Sequence, residues 1–152
     1  MCQHCGCHFN AVIRRLSDEH DAIVDALGDL RRAAEAGDTT TVRRRAGRLA
    51  ELLDPHTEAE ETGLFRELDA DGEFTEHLQA LTDDHADLDR RLVAIADGDL
   101  AGVADFVVRL RRHIDREENG LFPAAVIALD GAAWDRLSAP ELRLIDEAVA
   151  IE

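Results

Sequence analysis

The stretch HTEAEETGLF, residues 56–65, returns 57 positions later as HIDREENGLF, residues 113–122. Both read His-x-x-x-Glu-Glu-x-Gly-Leu-Phe, and a charged decapeptide rarely repeats by chance in a short chain. Outward from each copy the likeness continues. LSDEH at 16–20 stands before the first copy as LTDDH at 81–85 stands before the second. An internal duplication of this kind marks a structural unit used twice.

The flanks of each copy show what that unit is. Ile13, Leu16, His20, Ile23, Leu27 and Leu30 step by three and four, the spacing of a buried helical stripe. Val42, Leu49, Leu53, His56, Glu60 and Leu64 form a second stripe, with Pro55 inside it as an expected kink. A third runs Phe74, Leu78, Leu81, His85, Leu88, Leu92 and Ile95. A fourth runs Val103, Phe106, Leu110, His113, Glu117, Leu121 and Ala124, with Pro123 expected to bend its later part. Turn residues separate them: Gly37-Asp38 followed by Thr39 to Thr41, Asp69 to Gly72, and Asp97 to Asp99. Asp130-Gly131 closes the fourth helix, and a capping box from Ser138 to Glu141 announces a short final one. The pattern predicts an all-α, up-down-up-down antiparallel four-helix bundle over residues 10–130. A Cys/His-rich segment at 1–9 precedes it, and a C-terminal helical appendage at 131–152 follows.

Composition agrees with one helical domain. The chain has 152 residues, 45% hydrophobic but only 4% aromatic, rich in Ala and Leu. A formal net charge of −16 repels phosphate backbones and anionic lipid, which excludes nucleic acid and a membrane surface as expected partners. There is neither a long apolar run nor a basic and apolar leader, so a cytoplasmic location is expected. Phosphate-binding Gly loops and nucleophile elbows are likewise missing from the sequence.

In an antiparallel hairpin, residues equidistant from the turn share a height. His20 and His56 are symmetric about position 38, His56 and His85 about 70.5, and His85 and His113 about 99, each centre lying in a turn. Four histidines, one per helix, are therefore predicted to converge at one level of the core. Glu60 and Glu117 follow their histidines by four residues, a rotation of only about 40°, and should enter the same space. Glu61 and Glu118 are rotated by roughly 140° and are expected to be solvated. Asp18, Glu19, Asp83 and Asp84 read as a solvated helix face, His77 as a surface histidine, and Asp89 as a polar neighbour of the site.

Buried carboxylates need a partner, and the four stripes hold neither Lys nor Arg. A metal would supply the positive charge. Nitrogen and oxygen donors without thiolate suit iron or manganese, and six ligands exceed what one tetrahedral zinc uses. Two ions, each with two histidines and both bridged by Glu60 and Glu117, match the count. Cys2, Cys5 and Cys7, interleaved with His4 and His8, are a separate motif at the chain end. They are read as a second zinc or iron site, as redox thiols or as an inert tail.

His20, His56-x-x-x-Glu60, His85 and His113-x-x-x-Glu117, with Glu-Glu and Leu-Phe in both copies, resemble the hemerythrin-like (HHE cation-binding) family. The resemblance implies a four-helix bundle holding a non-haem di-iron centre, carboxylate-bridged and oxo- or hydroxo-bridged. The chain departs from the oxygen-carrying members in two places. They carry His-x-x-x-His on the third helix, where Leu81 and Asp89 flank His85 here. Their last carboxylate is an Asp five residues after its histidine, where Glu117 here stands at four. Fewer imidazoles leave more open coordination positions, so reaction with hydrogen peroxide, nitric oxide or dioxygen is expected rather than stable oxygen carriage. An electron donor protein would be its partner. The same ligand set also resembles di-iron proteins linked to iron-sulfur repair under nitrosative stress. The rival readings are an oxygen or nitric oxide sensor or carrier without turnover, and an iron storage or delivery protein.

Overall fold

The computed structural model describes residues 10–138. The motif of Cys2, Cys5 and Cys7 lies outside them, as does the Ser138 to Glu141 box beyond its first residue. The first helix spans Ala11–Glu35. Asn10 starts it: its side chain accepts from the amides of Val12 (3.0 Å) and Ile13 (3.3 Å), satisfying donors that would otherwise lack partners. The first and third helices end alike. Gly37 (φ 69°) and Gly98 (φ 118°) follow their last turns, and the amides of Asp38 and Asp99 bond back to Ala33 and Ala94. Only glycine takes such dihedrals without strain. Asp38 then caps the second helix through the Thr41 amide, at 3.0 Å.

The second helix begins as Thr39–Ala59 and runs unbroken through Pro55. What interrupts its regularity is a π turn, Glu60–Leu64, before α-helix resumes at Phe65–Asp69. The third helix is Thr75–Ala96. The fourth repeats the second: Val103–Arg116, a π turn at Glu117–Leu121, then Phe122–Ala128. Each π turn is closed by an amide reaching five residues back, Phe65 to Glu60 and Phe122 to Glu117. It keeps in line a buried series that a regular helix would carry round its axis. His56, Glu60, Leu64 and Leu68 are all buried at steps of four, as are His113, Glu117, Leu121 and Ala125. In a regular α-helix each such step drifts by about 40°. One wider turn takes up that drift, and such turns are concentrated at functional sites.

The first helix packs on the second and fourth, and the third on the same two, which closes an antiparallel bundle. Its core is divided. Ile23, Leu27, Leu49, Leu92, Phe106 and Leu110 belong to one apolar cluster. Leu16, Leu64, Phe65, Leu81, Leu121 and Phe122 belong to the other. The histidines and glutamates lie between the two, shielded from water above and below.

Helix also occupies residues 131–138, within the expected C-terminal appendage. Asp130 is its cap, accepting from the Ala133 amide at 2.9 Å, while the Ser138 hydroxyl donates back to the Trp134 carbonyl. Trp134 and Leu137 lie on the second apolar cluster, and a two-pronged Arg136–Glu67 pair (3.0 and 2.7 Å) ties the helix to the bundle. Among the described residues there is no strand, and no helix is long and apolar enough to cross a membrane.

Candidate metal centre

His20, His56, His85, His113, Glu60 and Glu117 are all buried, and both glutamates are 0% exposed. They divide into two groups. His20 and His56 face each other with ring centroids 4.6 Å apart, and so do His85 and His113. Both glutamates belong to both groups. Each group's donor atoms lie within 4.8 Å of one another. Glu60 turns Oε1 toward His56 Nε2 (3.1 Å) and Oε2 toward His85 Nε2 (3.3 Å). Glu117 turns Oε2 toward His20 Nε2 (3.1 Å) and Oε1 toward His113 Nε2 (2.9 Å). Each carboxylate thus shares its oxygens between the two histidine pairs.

These atoms are close without being aimed at one another. Nε2 of His20, His56 and His85 and all four oxygens of Glu60 and Glu117 make no hydrogen bond. An unpartnered buried carboxylate costs several kcal/mol, about what burying two leucines returns, so a core with two of them requires positive charge there. Separations near 3 Å are those of neighbouring donors around one ion, since bonds of about 2.1 Å at right angles leave about 3 Å between ligands. The donor set and its spacing suit metal cations.

Protons answer the same demand when no metal does. Burial favours neutral His20 and His85, but their carboxylate neighbours outweigh it. Glu117 and Glu118 raise His20 to about 9. Glu117, Glu60 and Glu61 raise His85 to about 10. Burial is likewise outweighed at His56, which Glu60 and Glu19 raise. At Glu117 burial favours the neutral acid, yet His113, His20 and His85 hold the carboxyl well below its ordinary range.

The outer nitrogens correct the sequence reading. Glu118 and Glu61, expected to be solvated, accept from Nδ1 of His20 (2.7 Å) and His85 (2.8 Å). Glu19 and Asp84, read as a solvated face, approach Nδ1 of His56 (2.6 Å) and His113 (3.3 Å). The four contacts form a closed ring. The acid on each histidine comes from the preceding helix, and that on the first helix comes from the fourth. Ser17 and Arg116 brace two of the acids, at Glu118 (3.0 Å) and Asp84 (2.6 Å). With Nδ1–H engaged outside, the Nε2 lone pair is left for the centre. Asp18 and Asp83 stay exposed, as do His77 and Asp89, and Asp89 is in neither donor group.

The Leu-Phe tails also have a role that spacing did not disclose. Phe122 stacks on His20 (5.6 Å, 10° between planes) and Phe65 on His85 (5.7 Å, 11°). Each π turn thus delivers a glutamate to the centre, its neighbour to an outer nitrogen and a phenyl ring to an imidazole face.

Fold and site together define a helical-bundle protein with buried His/Glu groups for holding a metal. The sequence profile of the hemerythrin HHE cation binding domain matches residues 11–125, and the chain belongs to that family. No curated protein and no solved structure matches the chain.

Proposed function

We propose that the chain is a non-haem di-iron protein that binds and reacts with hydrogen peroxide, nitric oxide or dioxygen in oxidative or nitrosative stress defence. The observation that supports this reading is the sharing of Glu60 and Glu117 between two histidine pairs, an arrangement suited to two ions. Each ion would have one oxygen from each glutamate and two imidazoles, four donors in all. Iron commonly takes six ligands, so open positions remain on each ion for a small molecule. When bound, the iron pair supplies electrons and a Lewis-acidic vacancy.

The chain's own residues do the rest. Glu60 and Glu117 hold the two positions together, and the outer acids fix imidazole orientation and raise basicity, favouring the oxidised metal. The two apolar clusters exclude bulk water. Tyrosine is absent from the sequence, so no tyrosyl ligand or radical takes part, and an electron donor protein would be the partner in a reductive turnover.

Metal analysis with optical spectra before and after peroxide and nitric oxide tests the reading. Expected are about two irons per chain, consumption of peroxide and a spectral change with nitric oxide. A stable adduct without oxidant loss would make the protein a sensor or carrier instead. Ready transfer of iron to an acceptor would make it a store, and less than about one metal per chain would remove the paired site.

The ring of outer acids makes a second test available. Glu118→Ala frees the Nδ1–H of His20 and is expected to weaken metal binding about 10- to 100-fold in a chelator competition. Stoichiometry at saturation should stay unchanged. Glu118→Gln, whose amide oxygen still accepts that proton, should fall between. Equal affinity in all three proteins would show that the contact does not tune the site.

A further inference from the structure

A cavity of about 620 Å³ lies between the second and third helices and reaches all four histidines. Its lining grades from exposed Asp54, Glu58 and Asp89, through half-buried Glu61, to buried His56 and His85. Every charged side chain on the way in is an acid, and no arginine lines it. Asp54, Glu58 and Glu61 recur at steps of four and three, one stripe along the second helix. Like charges so spaced repel and weaken a helix, and neither Asp54 nor Glu58 has an ion-pair partner among the described residues. Glu61 is held by Nδ1 of His85, but neither helix packing nor a local ion pair accounts for Asp54 and Glu58. At the inner end of the stripe stand the unpartnered Nε2 atoms of His56 and His85.

A second opening, of about 150 Å³ between the third and fourth helices, also reaches His113, but Arg109, Arg112 and Arg116 line it beside Asp84 and Asp87. The two entrances differ in sign. A cation entering the second opening meets arginines as well as carboxylates, whereas one entering the first meets carboxylates alone.

We propose that the acidic opening is the loading path of the centre, collecting hydrated divalent metal ions on Asp54, Glu58 and Asp89 and passing them by Glu61 to the buried donors. This rests on the reading that the six inner residues hold metal, and it assigns exposed acids a role in the rate of loading, apart from the ligands that set affinity. Electrostatic focusing of this kind changes association rates by about 10- to 1,000-fold and fades with salt.

Stopped-flow uptake of cobalt(II) by metal-free protein, followed by its visible absorption, tests the path. The triple variant Asp54→Asn/Glu58→Gln/Asp89→Asn should load about 10-fold or more slowly, with a flatter dependence on ionic strength and unchanged final stoichiometry. A control with the same change in net charge, Asp71→Asn/Glu73→Gln/Glu76→Gln in the turn and first helical residues after the second helix, should load at the wild-type rate. Wild-type speed in the first variant, or equal slowing in the control, overturns the path while leaving the metal site standing. Failure of the wild-type protein to take up cobalt at all would overturn both.

Discussion

Glu60→Ala is expected to strip the protein of both metal ions of the proposed pair, whereas His56→Ala should strip it of one. The difference follows from how the oxygens are shared. Nε2 of His56 is within reach of one donor group only, but Glu60 lies 3.1 Å from His56 on one side and 3.3 Å from His85 on the other. Removing a shared carboxylate takes a donor from each proposed position and one of the two inner carboxylates that would hold the ions together. Helicity should survive in both variants, because the two apolar clusters that hold the helices together lie to either side of the site and include neither residue. Metal content after loading and desalting, with circular dichroism alongside, reads the result. Were Glu60→Ala to retain about one ion per chain, as His56→Ala should, the carboxylate would serve a single position and the bridged pair would be wrong.

The convergence of the six inner residues was legible because two periodicities had to agree. The spacing of three and four put each residue on its helix's buried face, and the turns set the heights. Regular α geometry, however, was the only ruler available, and it misplaced what depends on its neighbours. A step of four serves an α-helix and a π turn alike, so nothing in His56, Glu60 and Leu64 distinguished them before the backbone bonds were seen. Glu61 and Glu118 do point away from their own histidines. The flank they occupy adjoins the next helix, whose imidazole turns Nδ1 toward them. The duplication held the clue, since an acid stands at 19 and 84 and again at 61 and 118. Asp130-Gly131 does mark the end of the fourth helix, which stops at Ala128, but it has a second role. Glycine usually ends a helix, but here the aspartate before it begins the next.

Metal removal should reverse the sign of the protein's response to alkali. In the metal-free chain, His20 and His85 titrate near 9 and 10, above the ordinary 6.5 of an unfolded histidine. The folded state therefore binds their protons more tightly. That stabilisation is complete below about pH 6.5 and is lost as pH rises toward 9 to 10. For His20 alone it is on the order of 3 kcal/mol, and His85 draws on the same Glu117, so the two do not simply add. Glu117 works from the other side. Its depressed pKa contributes stability above the ordinary carboxylate range that is lost as pH falls, so the stripped protein should be firmest between about pH 4.5 and 6.5. In the loaded protein a metal takes the place of those protons, and its binding requires neutral imidazole, so rising pH strengthens the hold instead. Thermal melts of stripped and loaded protein should accordingly lie close together at about pH 6 and diverge widely by about pH 9, the stripped protein falling. Parallel curves would mean that protons and metal do not compete for one site, and that the charge the glutamates require is supplied elsewhere.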